Sequence, residues 1–223
     1  MTESVSGVIL DVDGTLVLSN AAHARAWAEV LSEAGYQVPI ESLQRLIGMG
    51  SDKLLPAAIG VDKDSALGTR LSQRRKQVFQ ERYLPHLEPT PGARALLDRL
   101  RAEGRSLMIA SSAEGDELQG LLAVCGASDL AARTPPAGQV EGSKPDPDVV
   151  QAALDRLARP AAVVRMLGDT PYDVEAARRA GVGIIALRCG GWTDADLDGA
   201  LAIYDDPADL LAHYATSPLA AAV

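Results

Sequence analysis

Two aspartates set two positions apart carry the first chemical signal. Asp11 and Asp13 stand in Asp11-Val12-Asp13-Gly14-Thr15-Leu16, directly after the apolar run Val8-Ile9-Leu10. A second acidic pair, Asp169 and Asp173, stands in Gly168-Asp169-Thr170-Pro171-Tyr172-Asp173, after the apolar run 163–167. Carboxylates packed together repel and raise one another's pKa values. A hard divalent cation resolves that conflict. Mg2+ favours carboxylate oxygens and completes its shell with water or substrate phosphate oxygens. Lys144 lies in Gly142-Ser143-Lys144-Pro145-Asp146-Pro147-Asp148. A lysine held near a carboxylate and a phosphate would neutralise charge and keep the nucleophile ionised. Ser111 and Ser112 follow the apolar run 106–110, where hydroxyls and backbone N–H groups can face an anion. A carboxylate nucleophile, a metal, a hydroxyl and a cation together suit phosphoryl transfer through an aspartyl-phosphate.

Each residue also has a plainer role open to it. Asp-x-Asp-Gly fits a turn chosen for local geometry. It also resembles the start of a calcium loop, but that motif's downstream acidic ligands are absent. Asp169 fits a helix N-cap, and Asp173 fits a first-turn acid favoured by the helix dipole. Ser111 fits a turn or cap serine, and Lys144 a solvated loop lysine. What favours chemistry is the combination. In an open α/β sheet, ligands bind outside the carboxyl ends of the strands, which is where these residues would gather.

The elements that must position them read as alternating strands and helices. Apolar runs at 8–10, 106–110, 163–167 and 183–187 predict buried strands. Amphipathic stretches at 92–103, 148–157 and 174–180 predict helices, with Gly104 and Gly181 as stop signals. That alternation predicts an α/β fold, a Rossmann-like parallel sheet flanked by helices. The stretch 20–84 breaks the pattern. His23, Trp27 and Leu31 share a helical face, further helices are predicted at 40–46, 52–59 and 65–83, and no strand is apparent. Pro85, Pro89 and Pro91 close this block and suggest a hinge back to the sheet. The expected division is a core of 1–18 and 86–223 with an all-helical insert at 19–85. Trp27 reads as packing, Gly190-Gly191-Trp192 as a loop without chemistry, and Arg178 and Arg179 as a solvated helix face.

The 223-residue chain has a formal net charge of -9, which argues against a nucleic-acid partner but not against a small anionic substrate. Cys125 and Cys189 form no metal or redox motif and read as reduced thiols of a cytoplasmic protein. Residues 1–7 lack a basic region followed by a long apolar run, and no segment suits a membrane span, so neither secretion nor membrane insertion is expected.

The ordered set Asp11-Val12-Asp13-Gly14-Thr15-Leu16, Ser111, Lys144-Pro145-Asp146-Pro147-Asp148 and Gly168-Asp169-Thr170-Pro171-Tyr172-Asp173 resembles the four motifs of the haloacid dehalogenase superfamily. The resemblance runs over nearly the whole chain, and the helical insert resembles that family's type 1 cap. It implies the phosphoglycolate phosphatase and β-phosphoglucomutase-like branch. In it Asp11 would attack phosphorus and Asp13 would act as general acid and then base. Ser111 and Lys144 would hold the phosphoryl group. Asp11, the Asp13 carbonyl, Asp169 and Asp173 would serve Mg2+. Gly14 and Thr15 would supply backbone donors, with Ser112 as a second anion contact. In the cap, His23, Gly50 and Lys53 are candidates for the substrate's leaving group. Members that cleave carbon–halogen bonds lack an acid/base aspartate at the position of Asp13, so Asp13 favours phosphate chemistry. The expected activity is Mg2+-dependent hydrolysis of a small phosphorylated metabolite, phosphoglycolate or a sugar phosphate, by a monomer or weak homodimer. A phosphomutase and a non-catalytic binding module on the same fold are the alternatives.

Overall fold

In the computed structural model, which describes residues 4–134 and 142–220, five parallel strands form one sheet. They are β1 (Gly7–Leu10), β2 (Ser106–Ile109), β3 (Val164–Gly168), β4 (Gly183–Leu187) and β5 (Ala202–Tyr204), in the order β2-β1-β3-β4-β5. β1 is an interior strand, and Val8, Ile9 and Leu10 are each 0% exposed, so the strand reads as an unbroken apolar run. The chain runs from β1 outward to β2, then crosses back to β3 on the other side. β1 and β3 therefore flank the point where strand order reverses.

The chain divides into two compact units, Met1–Leu18 with Glu88–Val223, and Ser19–Leu87. The sheet belongs to the first, with helices α5 (Ala93–Ala102), α6 (Gly115–Val124), α7 (Asp148–Leu157), α8 (Pro171–Arg179) and α9 (Pro207–Ala212). The second holds α1 (Asn20–Glu33), α2 (Ile40–Gln44), α3 (Ser51–Ile59) and α4 (Ala66–Val78), which continues into a π-helical turn, Phe79–Tyr83. Among its described residues there is no strand. No helix among the described residues is long and apolar enough to cross a membrane.

Packing explains the pattern. Ile9, Met108, Val164, Met166 and Ile184 of the sheet bury against Val150, Ala153 and Leu154 of α7 and Ala176 and Ala177 of α8. Gly104 and Gly181 follow α5 and α8 with φ of 73° and 70°, the left-handed conformation that ends a helix. In the second unit α1 packs on α2 and α4, and Leu31, Leu43, Leu54, Leu55 and Phe79 are all but fully buried.

Where the chain leaves and re-enters the sheet unit, it is tied to itself. Val17 bridges Pro89 in antiparallel fashion. Leu18 N–H donates to Glu88 O and Thr90 N–H donates to Leu16 O, both at 3.0 Å.

Three elements depart from the sequence reading: β5, α6 and the six-residue α9, which is too short for helical periodicity to show. β5 was not anticipated; it is three residues long and only partly buried, too short for periodicity to reveal. α6 was also missed, because Gly115 and Gly120 interrupt its apolar pattern.

Candidate active site

Strand register brings the two acidic segments together. Leu10 pairs with Leu167, and Asp11 N–H donates to Leu167 O at 2.9 Å. Asp11 therefore leaves β1 where Gly168 and Asp169 leave β3. Ala110 N–H donates to Leu10 O at 2.9 Å, so Ser111 emerges beside Asp11 on the opposite flank. One oxygen each of Asp11, Asp169 and Asp173 lies within 4.8 Å of the others, and all three residues are buried.

The loop after β1 is a compact turn. Leu16 and Val17 N–H both donate to Val12 O, at 2.8 and 3.1 Å. Gly14 takes φ 78°, which glycine adopts without steric cost. The backbone donors expected at Gly14 and Thr15 are used inside this turn. Gly14 N–H donates to Val17 O at 2.8 Å and Thr15 N–H to Val12 O at 3.3 Å. Thr15 contributes through its hydroxyl instead. Its Oγ1 sits 3.0 Å from Asp11 Oδ2 and 2.9 Å from Asp169 Oδ1, bridging two carboxylates that would otherwise only repel. The single hydroxyl proton serves one of them at a time. Sequence alone could not show this bridge, because it depends on the β1–β3 register.

Lys144 is 2% exposed, so it is not a solvated loop lysine. Its Nζ donates to Asp11 Oδ1 at 2.5 Å and to Asp173 Oδ1 at 2.7 Å. The Lys144–Pro145 peptide is cis. Asp173 has a double task. Its Oδ2 accepts from Thr170 N–H at 3.0 Å and Thr170 Oγ1 at 2.7 Å, while Thr170 Oγ1 accepts from Asp173 N–H at 3.2 Å. This is a capping box at the start of α8, with Pro171 in the first turn. Thr170 is the N-cap, so Asp169 is not, and its carboxylate is turned toward Thr15.

The charges do not balance within the protein. Three buried carboxylates share the site with one ammonium, which meets two of them, and Asp13 adds its own field. The Asp11 carboxyl is pushed up to about 7, chiefly by burial, with Lys144 pulling it down and Asp173 and Asp13 also raising it. The two carboxylates hold the Lys144 ammonium protonated against the opposing effect of burial. An excess of two negative charges is what a divalent cation would neutralise, and an all-oxygen donor set is the kind a hard cation takes. The residues therefore fit a divalent metal.

The remaining expected residues fall into four settings. Ser111 is 7% exposed, and its Oγ accepts from Ala113 N–H at 3.0 Å. Among the described residues no acceptor takes its hydroxyl proton, which leaves that donor for a ligand. Ser112 is exposed and does not cap α6, whose N-cap is Glu114. Asp13 is partly exposed, close enough to act on Asp11 electrostatically and outside the cluster of three. His23, Gly50 and Lys53 belong to the helical unit. His23 is 7% exposed and stacks on Phe79, with centroids 3.9 Å apart and planes 8° apart. Gly50 is the N-cap of α3, and Lys53 lies in that helix's first turn.

The chain is similar to known proteins over most of its length. A family model described as haloacid dehalogenase-like hydrolase matches residues 8–187. A phosphoglycolate phosphatase of Rhodospirillum rubrum is 32% identical over 91% of this chain and 88% of its own. The fructose-1-phosphate phosphatase YqaB of Escherichia coli is 26% identical over 84% and 99%. Among solved structures, a hydrolase from Pseudomonas syringae matches with TM-score 0.84 and 29% identity, covering 95% of this chain and 98% of that one. β-Phosphoglucomutase from Clostridium difficile matches with TM-score 0.83 over 96% and 97%; at 17% identity it bears on the fold.

Proposed function

The chain belongs to the haloacid dehalogenase-like hydrolase family, and on that premise we propose that it is a Mg2+-dependent phosphatase of small phosphorylated metabolites, of the phosphoglycolate or sugar phosphate type. The observation that carries this reading is the buried cluster of Asp11, Asp169 and Asp173 with Lys144 hydrogen-bonded to two of its members.

Asp11, the Asp13 backbone carbonyl and Asp169 are the residues assigned to the metal, with Asp173 supporting it through its place in the cluster. When bound, the cation supplies charge neutralisation at the transferring phosphoryl oxygens and lets the phosphate approach an anionic nucleophile.

Asp11 attacks phosphorus, and the ester P–O bond breaks as the aspartyl-phosphate forms. Asp13 donates its proton to the leaving oxygen, so the product departs as an alcohol. Asp13, now a carboxylate, takes a proton from water. That water attacks phosphorus, the bond to Asp11 breaks, and inorganic phosphate is released. Lys144 and the Ser111 hydroxyl offset the negative charge of the transferring group. Thr15 keeps the Asp11 carboxylate aimed during both halves.

We assign the helical unit Ser19–Leu87 the part of a cap domain, with His23, Gly50 and Lys53 as its candidates for reading the leaving group. The test is a panel of phosphorylated metabolites with free phosphate as readout, with and without Mg2+. Mg2+-dependent phosphate release supports the reading. Isomerised sugar without phosphate release, or no turnover of any substrate by folded protein with Mg2+, overturns it.

A further inference from the structure

Gly190-Gly191-Trp192 carries no ionisable or nucleophilic group, yet its first residue touches the candidate metal site. The turn after β4, Arg188–Gly190, lies against both aspartate-bearing loops. Cys189 Sγ donates to Gly14 O at 3.1 Å, tying the turn to the loop that carries Asp11 and Asp13. Gly190 backs directly onto Asp169. A methyl group at 190 would overlap Asp169 Oδ2 and stand 2.6 Å from its Cγ and 2.7 Å from its Cβ.

Space, not backbone conformation, demands glycine here. Gly190 is absent from the residues with positive φ, whereas its neighbour Gly191 has φ 90° and would meet nothing within 4 Å if given a Cβ. The two adjacent glycines thus have separate reasons to be glycine. The turn itself is anchored from its outer side. Arg188 Nε and Nη2 donate to the two oxygens of Asp194, at 2.5 and 2.9 Å, and Nη1 donates to Asp205 Oδ1 at 2.7 Å. The turn is thus tied on both sides, through Cys189 and through Arg188.

We propose that Gly190 is a positioning residue for the metal site: its bare backbone, pinned by Cys189 and Arg188, walls the Asp169 carboxylate into the orientation that faces Thr15 and Asp11. The Asp169 carboxylate thus lies between the turn at Gly190 and Thr15 Oγ1. The inference rests on the assignment of Asp169 to the metal.

The test measures Mn2+ binding to the metal-free protein by calorimetry, in wild type, Gly190→Ala, Gly191→Ala and Cys189→Ala, with thermal unfolding alongside. Wild-type protein binds Mn2+; failure to bind overturns the metal assignment and the inference with it. Gly190→Ala is expected to weaken Mn2+ binding by about 10-fold or more, the scale seen when support behind a ligand is disturbed. Gly191→Ala strains the same turn without touching Asp169, so it lowers the melting temperature and leaves Mn2+ affinity within about 2-fold of wild type. Equal loss of affinity in both glycine variants, or wild-type affinity in Gly190→Ala, overturns the positioning role. Should Gly190→Ala not fold, Cys189→Ala carries the test: it loosens the same turn with no added atoms, and wild-type Mn2+ affinity in it overturns the proposal.

Discussion

Lys144 Nζ lies 2.7 Å from Asp173 Oδ1, and both side chains are shut off from water, at 3% and 1% exposure. Asp173 thereby anchors a catalytic candidate and starts a helix with one carboxylate. Asp173→Ala removes both functions. Losing one partner of a buried pair costs about 3–5 kcal/mol, reduced here because Asp11 still faces Lys144, and losing the cap adds about 1 kcal/mol. The expected net loss is about 2–4 kcal/mol in urea unfolding of the metal-free protein. A change under about 0.5 kcal/mol, the level of an ordinary surface substitution, would show that the pair contributes nothing.

Asp11→Asn should abolish turnover while leaving the fold intact. The amide is close in shape, so β1 and its turn have no reason to change, and the nucleophile is gone. Circular dichroism and phosphate release check the two halves. Retained turnover removes Asp11 from the nucleophile's role.

The stability of the metal-free protein should depend on pH through Asp11. Its carboxyl is pushed up to about 7 in the fold, against an ordinary 3.8. Between those values the folded chain holds a proton that the unfolded chain has lost. This contribution to stability is thus fully present below about pH 4 and is lost as pH rises through about 7. A divalent cation must displace that proton, so its affinity should climb over the same interval. Thermal unfolding with saturating Mg2+ should show a larger stabilisation at about pH 8 than at about pH 6. An equal shift at both values would mean that the cation does not compete with the Asp11 proton.

His23 and Lys53 should separate in kinetics and stability. The stack of His23 on Phe79 marks a packed side chain, so His23→Ala is expected to cost about 1–3 kcal/mol. Lys53, in the first turn of α3, is the better candidate for reading a leaving group. Lys53→Ala should raise KM with little change in kcat for the best substrate and leave the melting temperature nearly unchanged. A Lys53→Ala enzyme with wild-type KM across the substrate panel removes it from substrate recognition.

Much of the site was legible because chemistry and strand ends coincide. Asp11, Ser111 and Asp169 each follow an apolar run, and three runs that become parallel neighbours deliver their next residues to one place. The helix start at Pro171 was legible only in part: Asp173 reads as a first-turn acid, but the cap is Thr170 and not Asp169. The pairing of Asp173 with Lys144 was not legible, because 29 residues separate them and only the tertiary fold brings them together. Thr15 and Gly190 were opaque for a related reason. A hydroxyl that bridges two loops, or a missing methyl that makes room for a carboxylate, leaves no periodicity in the chain. β5 escaped because three half-buried residues are too few to show alternation.

The tie between Val17–Leu18 and Glu88–Thr90 has an evolutionary consequence. Because the two ends of the Ser19–Leu87 segment are stapled to each other within the sheet unit, the strands on either side feel the same constraint whatever lies between. Closing a longer or shorter loop between fixed ends costs little more, since the entropy grows only with the logarithm of length. Natural variation can therefore rewrite, extend or replace these helices without disturbing the register that aligns Leu10 with Leu167. Selection can thus alter the helices encoded in one part of the gene while the cluster of Asp11, Asp169 and Asp173 encoded in the other is inherited unchanged.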